Sequence, residues 1–313
     1  MKKYLNIVFA GTTFFSASCL EFLLKKYKII GIITQPDNFL SRKKRKIFNP
    51  VKIIAKKANI QLIQPISLND HYFVSWIHSF DIDLIIVVAY GLIFPKNILN
   101  IPKIGCLNLH ASLLPRWRGA APIQRAILSG DKETGITIIK MNSNVDSGNI
   151  VYQKKCFIKT NDTTLSLSQK LIKIGKDALL KTIHLLHSGF LIEKKQNNNF
   201  VKYAKKIKKK EALINWNFSA KQIERAIRAF ILWPKSYFIY NNENIKVLQA
   251  NVINCNFDLS PGTVIKVDKN GIQIITGNGI LEIIKLQPSG KRIMSVKSFL
   301  NSRYDIFYPG MIL

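Results

Sequence analysis

Unbroken apolar runs, separated by segments of helical spacing, make up most of the first 110 residues and constrain the fold more than any other feature. The runs YLNIVFAG, KIIGIITQP, DLIIVVAY and KIGCLNLH cover residues 4–11, 28–36, 83–90 and 103–110. Strands without polar alternation are buried on both faces, as in parallel sheets covered by helices. The pattern therefore predicts an α/β domain with a mostly parallel sheet, in which ligands bind at the carboxyl ends of the strands.

The rest of the chain predicts a long helix, a linker and a second domain. Two strands are expected around the turn NSNVDSG at 142–148, and a helix over about 163–186 with Asp162 as its N-cap. Apolar periodicity is then lost, which indicates a linker over 190–208. Beyond an amphipathic helix, short strands separated by turn residues predict a small β-barrel. The expected domains are therefore 1–189 and 209–313.

Length, hydropathy and cysteine usage indicate the class of protein and its compartment. A chain of 313 residues usually forms two domains, and 47% hydrophobic residues exclude a disordered protein. The apolar runs are too short to cross a bilayer, and no small-residue cleavage pattern follows the first one. The four cysteines lie far apart without a CxxC pair, so buried free thiols are expected. We expect a cytoplasmic monomer that does not bind a membrane.

The charge balance is strongly basic, with 47 Lys and Arg against 18 Asp and Glu and a formal net charge of +29. One dense run consists of Arg42, Lys43, Lys44, Arg45 and Lys46. A second puts six lysines into the nine positions 202–210, among them Lys206, Lys208 and Lys209. Such runs favour a polyanionic partner, in particular a nucleic-acid backbone. Compositional drift in a chain rich in Lys, Ile and Asn is the alternative explanation for part of the excess.

Asn108 and His110 lie at the end of the run 103–110 and form the first part of a candidate catalytic site. Because they alternate along a strand, their side chains point to the same face. An amide N–H and an imidazole aimed at one point can stabilise an oxyanion, and histidine moves protons near neutral pH. Asp146, in the turn between two strands, offers a carboxylate that would orient and charge the imidazole. Since no G-x-S-x-G elbow is present, covalent catalysis is not indicated.

The other histidines and the first glycine turn carry weaker signals. Four histidines, His71, His78, His184 and His187, are expected on helices without acidic or cysteine neighbours at ligand spacing, so no metal site is predicted. Gly11-Thr12 follows the first strand but lacks the G-x-G-x-x-G pattern of dinucleotide sites. A tight turn and a ligand contact both remain open there.

Residues 108–150 closely resemble the signature region of the 10-formyltetrahydrofolate-dependent formyltransferases. The resembling segment reads NLHASLLPRWRGAAPIQRAILSGDKETGITIIKMNSNVDSGNI. Similarity continues in the family's order through IVFAGT, TQPD, VVAYGLIFP, EALINW, PGTV and LQPSGKR, so it spans essentially the whole chain. The resemblance implies a Rossmann-like formyltransferase domain followed by a C-terminal OB-like β-barrel domain. The tail and the basic loop resemble those of family members whose acceptor is tRNA.

The resemblance also implies a role for each group of residues. Asn108, His110 and Asp146 correspond to the family's catalytic trio. The tetrahydrofolate site corresponds to Ser112, Leu113, Leu114 and Pro115. The basic loop corresponds to an insertion that approaches the acceptor stem, with Arg42 at its main recognition position, and the C-terminal domain helps to hold the tRNA. The implied reaction moves the formyl group of 10-formyltetrahydrofolate, a cosubstrate, to the α-amino group of methionyl initiator tRNA.

Several residues differ from those usual in the family, and other functions remain open. Ala111 stands where glycine is common, Thr13-Phe14 where Pro-Asp is common, and Asn215 where Asp is common, while the basic loop contains no glycine. The alternatives are a formyltransferase for a small amine or an amino-sugar nucleotide, and a hydrolase that releases formate. A nucleic-acid-binding protein with a decayed active site is a fourth possibility, against which the intact trio argues.

Overall fold

The structure is a computed structural model that describes residues 5–39, 46–47, 49–255, 258–302 and 306–313, with only the backbone described at 38–39, 46–47 and 302. It contains two compact units. The first consists of residues 1–122, 133–157 and 168–205, and the second of 123–132, 158–167 and 206–313. Within the described ranges, no helix is both long and apolar enough to span a membrane.

The first unit is built on a seven-stranded sheet with the order β10-β9-β7-β6-β1-β2-β5. Its main strands are β1 (Ile7–Gly11), β2 (Ile29–Ile33), β5 (Leu62–Ile63), β6 (Leu84–Val88), β7 (Gly105–His110), β9 (Glu133–Lys140) and β10 (Asn149–Phe157). Two short pairs lie outside this sheet: β3 (Asn38–Phe39) with β4 (Lys46–Ile47), and β8 (Arg116–Gly119) with β11 (Lys202–Ala204). The helices are α1 (Phe14–Leu24), α2 (Pro50–Lys57), α3 (His71–His78), α4 (Lys96–Leu99) and α6 (Thr164–His187), of which residues 164–167 belong to the second unit. Helix α5 (Pro122–Ser129) belongs to the second unit apart from Pro122.

The predicted parallel sheet is confirmed. The pairs β5-β2, β2-β1, β1-β6 and β6-β7 are all parallel, and β9 alone runs opposite to the other six strands of this sheet. Every residue of β1 and of β6 is buried, as expected for strands that are covered on both faces. On one face, Phe73 and Ile77 of α3 pack in the same cluster as Val8, Ile85 and Val87.

The second unit contains an antiparallel sheet with the order β12-β13-β16-β15-β14. Its elements are α7 (Ala220–Ala229), β12 (Tyr237–Tyr240), β13 (Glu243–Ile253), β14 (Val264–Asp268), β15 (Gly271–Ile275), β16 (Ile280–Gln287), β17 (Met294–Ser295) and α8 (Val296–Ser302). Strand β17 pairs with β16. Helix α7 begins at the capping box of Ser219 and Gln222 and buries Ile223 and Ile227 against the sheet. The sheet forms a half-barrel, which agrees with the predicted OB-like domain.

The segment 190–208, predicted as a linker, contributes secondary structure to the first unit. It contains a 3-10 helix, Asn198–Phe200, and strand β11, which pairs in parallel with β8. Backbone pairing and amide side chains carry no hydropathy signal, so the loss of apolar periodicity suggested a linker. A second 3-10 helix, Lys209–Ala212, belongs to the second unit.

Two local predictions need correction. The hydroxyl of Thr163, rather than Asp162, accepts from the backbone N–H of Ser166 at the start of α6, while the Asp162 carboxylate accepts from Lys159 N and from the Ser166 hydroxyl. Asp162 lies one residue too early in the chain to reach the first-turn N–H. Of the four free cysteines, Cys255 is exposed rather than buried, because it follows the last residues of β13.

Two buried threonines provide a test of the packing. The Thr164 hydroxyl donates to Ala229 O at 2.6 Å, whereas the Thr134 hydroxyl has no hydrogen-bond partner in the described part of the chain. Thr164→Val leaves a buried carbonyl without its donor and should cost roughly 1–3 kcal/mol. Thr134→Val removes an unsatisfied hydroxyl and should be neutral or stabilising. Urea unfolding of both variants checks this, and equal losses of stability would contradict the assignment.

Candidate active site

The predicted trio of Asn108, His110 and Asp146 lies together on one face of the sheet. Asn108 and His110 both lie on β7, and His110 is 6% exposed. Strand β9 ends beside the middle of β7, where Lys140 pairs with Leu107, so the turn 142–148 starts close to Asn108. The turn therefore brings Asp146 to β7 although it lies far along the chain from His110.

The Asp146 carboxylate joins three segments of the chain. Its Oδ1 accepts from Asn108 Nδ2 at 3.0 Å, and its Oδ2 accepts from the backbone N–H of Gly119 at 2.8 Å. His110 Nδ1 lies 3.5 Å from the same Oδ2. The Asp146 side chain is 12% exposed, and a carboxylate so far removed from water needs such donors.

His110 has an acceptor on each side of its ring. Nε2 lies 2.8 Å from the carbonyl oxygen of Trp117, and Nδ1 faces the Asp146 carboxylate. A carbonyl only accepts, so Nε2 carries a hydrogen. The carbonyl and the carboxylate therefore hold the imidazole ring from both sides.

Asp146 and two residues beside the strand of Asn108 and His110 have a left-handed backbone although none of them is glycine. They are Ala89 after β6 (φ 44°), Trp117 in β8 (φ 68°) and Asp146 in its turn (φ 50°). Each such residue costs about 1–2 kcal/mol, and strain of this kind collects at functional sites. Surrounding contacts must therefore hold the turn of Asp146.

Gln196 holds this turn and was missed by the sequence analysis. Its Nε2 donates to the carbonyl oxygens of Asp146 and Gly148, both at 2.8 Å. Its Oε1 accepts from Arg118 Nε at 3.0 Å and from Arg118 Nη2 at 2.8 Å. The amide thus connects β8 with the backbone of the turn. A single glutamine in a polar segment gives no pattern from which this role could be predicted.

The loop Gly11-Thr12 forms a tight turn that is bonded to the end of β6. A Cβ on Gly11 would lie 2.6 Å from Ser16 Cβ and 2.9 Å from Val88 O, so only glycine fits. Thr12 Oγ1 donates to Tyr90 O at 2.8 Å, and Ser16 Oγ donates to Val88 O at 2.5 Å. The sequence left open a tight turn or a ligand contact, and these contacts show the tight turn.

The segment Ser112–Pro115, predicted to line the folate site, is partly directed into the protein. Ser112 and Leu114 are buried, whereas Leu113 and Pro115 are half-buried. The Ser112 hydroxyl donates to Arg116 O at 2.6 Å, and Leu114 N donates to Thr137 Oγ1 at 3.0 Å. Of the four side chains in this segment, those of Leu113 and Pro115 are therefore the ones that a ligand can contact.

The basic residues predicted to contact nucleic acid are only partly described. Arg42 to Arg45 lie outside the described residues, and Lys46 belongs to β4 with its side chain outside them. Lys206, Lys208 and Lys209 are exposed around the buried Ile207 in the second unit. Their ammonium groups are therefore available to a polyanion.

Neither a thiol nucleophile nor a metal cluster accompanies the trio in the described parts of the chain. Cys106 lies two residues before Asn108 on β7, but burial raises the pKa of its thiol to about 12, so the thiol stays protonated near neutral pH. The described residues contain no group of three His, Cys, Asp or Glu placed to hold a metal ion. His71, His78, His184 and His187 are exposed on α3 and α6.

Comparison with known proteins gives family matches for both parts of the chain. Residues 2–183 match the family described as "Formyl transferase", and residues 206–304 match "Formyl transferase, C-terminal domain". A protein of Buchnera aphidicola subsp. Acyrthosiphon pisum, named methionyl-tRNA formyltransferase, is 50% identical over 315 residues and covers 100% of both chains.

Solved structures share the fold at lower sequence identity. An N-formyltransferase from Helicobacter canadensis is 20% identical with a TM-score of 0.67, and the match covers 89% of this chain and 99% of that one. A sugar 3N-formyl transferase is 22% identical with a TM-score of 0.66, and the match covers 93% and 100% of the two chains. The two family matches and the 50% identity to the Buchnera protein show that the chain belongs to the formyl transferase family.

Proposed function

We propose that the protein transfers the formyl group of 10-formyltetrahydrofolate to the α-amino group of methionine on the initiator tRNA. The observation that carries the chemistry is the contact of Asn108 and His110 with one carboxylate, that of Asp146. The acceptor is supported by the 50% identity to a methionyl-tRNA formyltransferase, which includes the second unit. Since this tRNA is used where translation starts, the protein acts in the cytoplasm.

The reaction needs no covalent intermediate with the enzyme. The neutral amine attacks the formyl carbon, and the formyl oxygen becomes an oxyanion. Asn108 uses one Nδ2 hydrogen for Asp146 and keeps the other for this oxyanion. His110 Nε2 donates to the oxyanion in place of Trp117 O. One proton leaves the attacking nitrogen and one reaches N10 as the N10–carbon bond breaks, with Asp146 and His110 assisting this movement.

The tRNA contacts are proposed for the two basic clusters. Arg42, Lys43, Lys44, Arg45 and Lys46 bind the acceptor stem, and Lys206, Lys208 and Lys209 bind the backbone from the second unit. The net charge of +29 and the exposure of the second cluster support this role. Leu113 and Pro115, with the backbone of Ser112 and Leu114, are proposed to contact the folate donor. No metal is required by this mechanism.

The destination of the formyl group tests the function. Donor labelled in its formyl carbon is incubated with the enzyme and methionyl-tRNA, a nucleotide-linked amino sugar, a small amine or water alone. We expect the label on methionyl-tRNA, since both units match the formyl transferase family and the chemistry needs an amine. Label on the amino sugar, or released as formate in the presence of methionyl-tRNA, would contradict the proposal.

Removal of one oxyanion donor tests the catalytic roles. Asn108→Ala and His110→Ala should each lower kcat about 10²- to 10³-fold, because each removes an interaction that strengthens in the transition state. Asn97→Ala, at an exposed position on α4, is the matched control and should leave kcat unchanged. Circular dichroism checks the fold of the variants. Near-normal turnover of either trio variant would overturn its assigned role.

Neutralisation of the basic loop tests its role in tRNA binding. Replacement of Arg42, Lys43, Lys44, Arg45 and Lys46 by serine should raise the KM for methionyl-tRNA. It should also reduce the slope of log affinity against log salt by about 0.7–0.9 for each phosphate that is no longer neutralised. The KM for the folate donor should not change. The double variant Lys25→Ser/Lys26→Ser, at the exposed end of α1, is the control. An unchanged salt slope in the loop variant would sink this role.

A further inference from the structure

A polar cavity of about 620 Å³ lies beside the turn of Asp146 in the first unit. Its polar lining residues include Arg118, Ser147, Asn149, Lys195, Asn198 and Tyr203. Two of them are cations, and none of the described lining residues is acidic. Glu193 accepts from Asn149 Nδ2, but its carboxylate is paired with Lys140 at 2.7 Å, and this pairing lowers the pKa of Glu193. The cavity is therefore an electropositive site.

Arg118 supplies a buried positive charge to this cavity. The residue is 6% exposed, and its described hydrogen bonds all go to neutral amide oxygens: Gln196 Oε1 accepts from Nε and Nη2, and Asn198 Oδ1 accepts from Nη2 at 3.1 Å. Across the described ranges, no carboxylate forms an ion pair with Arg118 and Nη1 makes no hydrogen bond. A buried cation without a counter-charge is unfavourable unless an anion binds to it.

The cavity is lined by residues next in the chain to the trio and to its contacts. Trp117 and Gly119, the two neighbours of Arg118 in β8, contact His110 and Asp146 respectively. Ser147 is the next residue after Asp146. Strand β8 therefore links the guanidinium of Arg118 to the two backbone groups that contact His110 and Asp146.

We propose that this cavity binds the phosphate that precedes the terminal nucleoside of the aminoacylated tRNA 3′ end, with Arg118 Nη1 and Lys195 as its ligands. The inference rests on the proposed function. A guanidinium whose fork is already fixed by Gln196 and Asn198 matches phosphate oxygens in geometry and charge. Tyr203 is 64% exposed at the cavity and offers an aromatic face on which a base can stack. A nucleotide uses both features.

The carboxylates of the folate donor's glutamate share the negative charge of a phosphate, so the experiment must separate the two sources. Wild-type enzyme is assayed with normal methionyl-tRNA and with methionyl-tRNA that carries a neutral methylphosphonate linkage before the terminal adenosine. The same two substrates are used with Arg118→Gln, Arg118→Lys and Gln196→Ala. KM for acceptor and donor, and kcat, are measured for each combination.

We expect the neutral linkage to raise the acceptor KM of the wild-type enzyme about 10- to 100-fold, as for removal of a charge-assisted hydrogen bond. Arg118→Gln should raise the KM for normal methionyl-tRNA by a similar factor, and the neutral linkage should then have no further effect. Arg118→Lys should recover part of the sensitivity. Gln196→Ala should lower kcat through the Asp146 turn and retain part of the sensitivity to the linkage, because Asn198 still accepts from Arg118. The donor KM should stay constant throughout.

The contrary outcomes are distinct. A rise in donor KM with Arg118→Gln would assign the cavity to the folate carboxylates and overturn the proposal. It is equally overturned if the wild-type enzyme is insensitive to the linkage, or if Arg118→Gln keeps the full sensitivity. Absence of any formylation of normal methionyl-tRNA by the wild-type enzyme contradicts the proposed function itself, and with it this site. The methylphosphonate comparison in the wild-type enzyme needs no variant to fold.

Discussion

The carboxylate of Asp146 is the point at which the site is assembled. It accepts from Asn108 on β7 and from the backbone of Gly119 at the end of β8, and it faces His110. These groups come from two strands, β7 and β8, and the carboxylate is the side chain that contacts all of them. Asp146 lies in a turn and has a left-handed backbone conformation. The amide of Gln196 stabilises this turn by donating to two of its carbonyl oxygens. Disruption of the turn geometry would therefore remove the carboxylate from Asn108, His110 and Gly119 at once.

The loops that follow β1 and β6 contact each other where the strand order reverses. The chain reverses its strand order between β1 and β6, and ligands commonly bind at such a point. In this protein Gly11 fits closely against Val88, and Thr12 and Ser16 bond the two loops together. Asn108 and His110 instead lie one strand further, on β7. There the antiparallel strand β9 ends beside Leu107, so the turn 142–148 that follows it lies close to Asn108.

Hydropathy and strand alternation predicted the sheet, and the position of Asn108 and His110 on one face, because burial and side-chain direction follow from local sequence. The same reasoning could not find Gln196 or Arg118. Their bonds join an amide or a guanidinium to carbonyl and amide oxygens far along the chain, and such contacts leave no period in the sequence. Leu114, which the resemblance assigns to the folate site, is buried in the first unit, and its burial could not be predicted from the local sequence.

On the proposed mechanism, both oxyanion donors already take part in hydrogen bonds within the protein. His110 Nε2 donates to Trp117 O, and one Asn108 hydrogen is taken by Asp146. A formyl oxygen in its ground state is a neutral acceptor much like the Trp117 carbonyl, so its exchange for that carbonyl gains little. The oxyanion is a stronger acceptor, because hydrogen bonds to charged groups are about twice as strong as neutral ones. The Trp117 carbonyl thus makes the His110 interaction selective for the transition state, which is the condition under which binding energy accelerates a reaction.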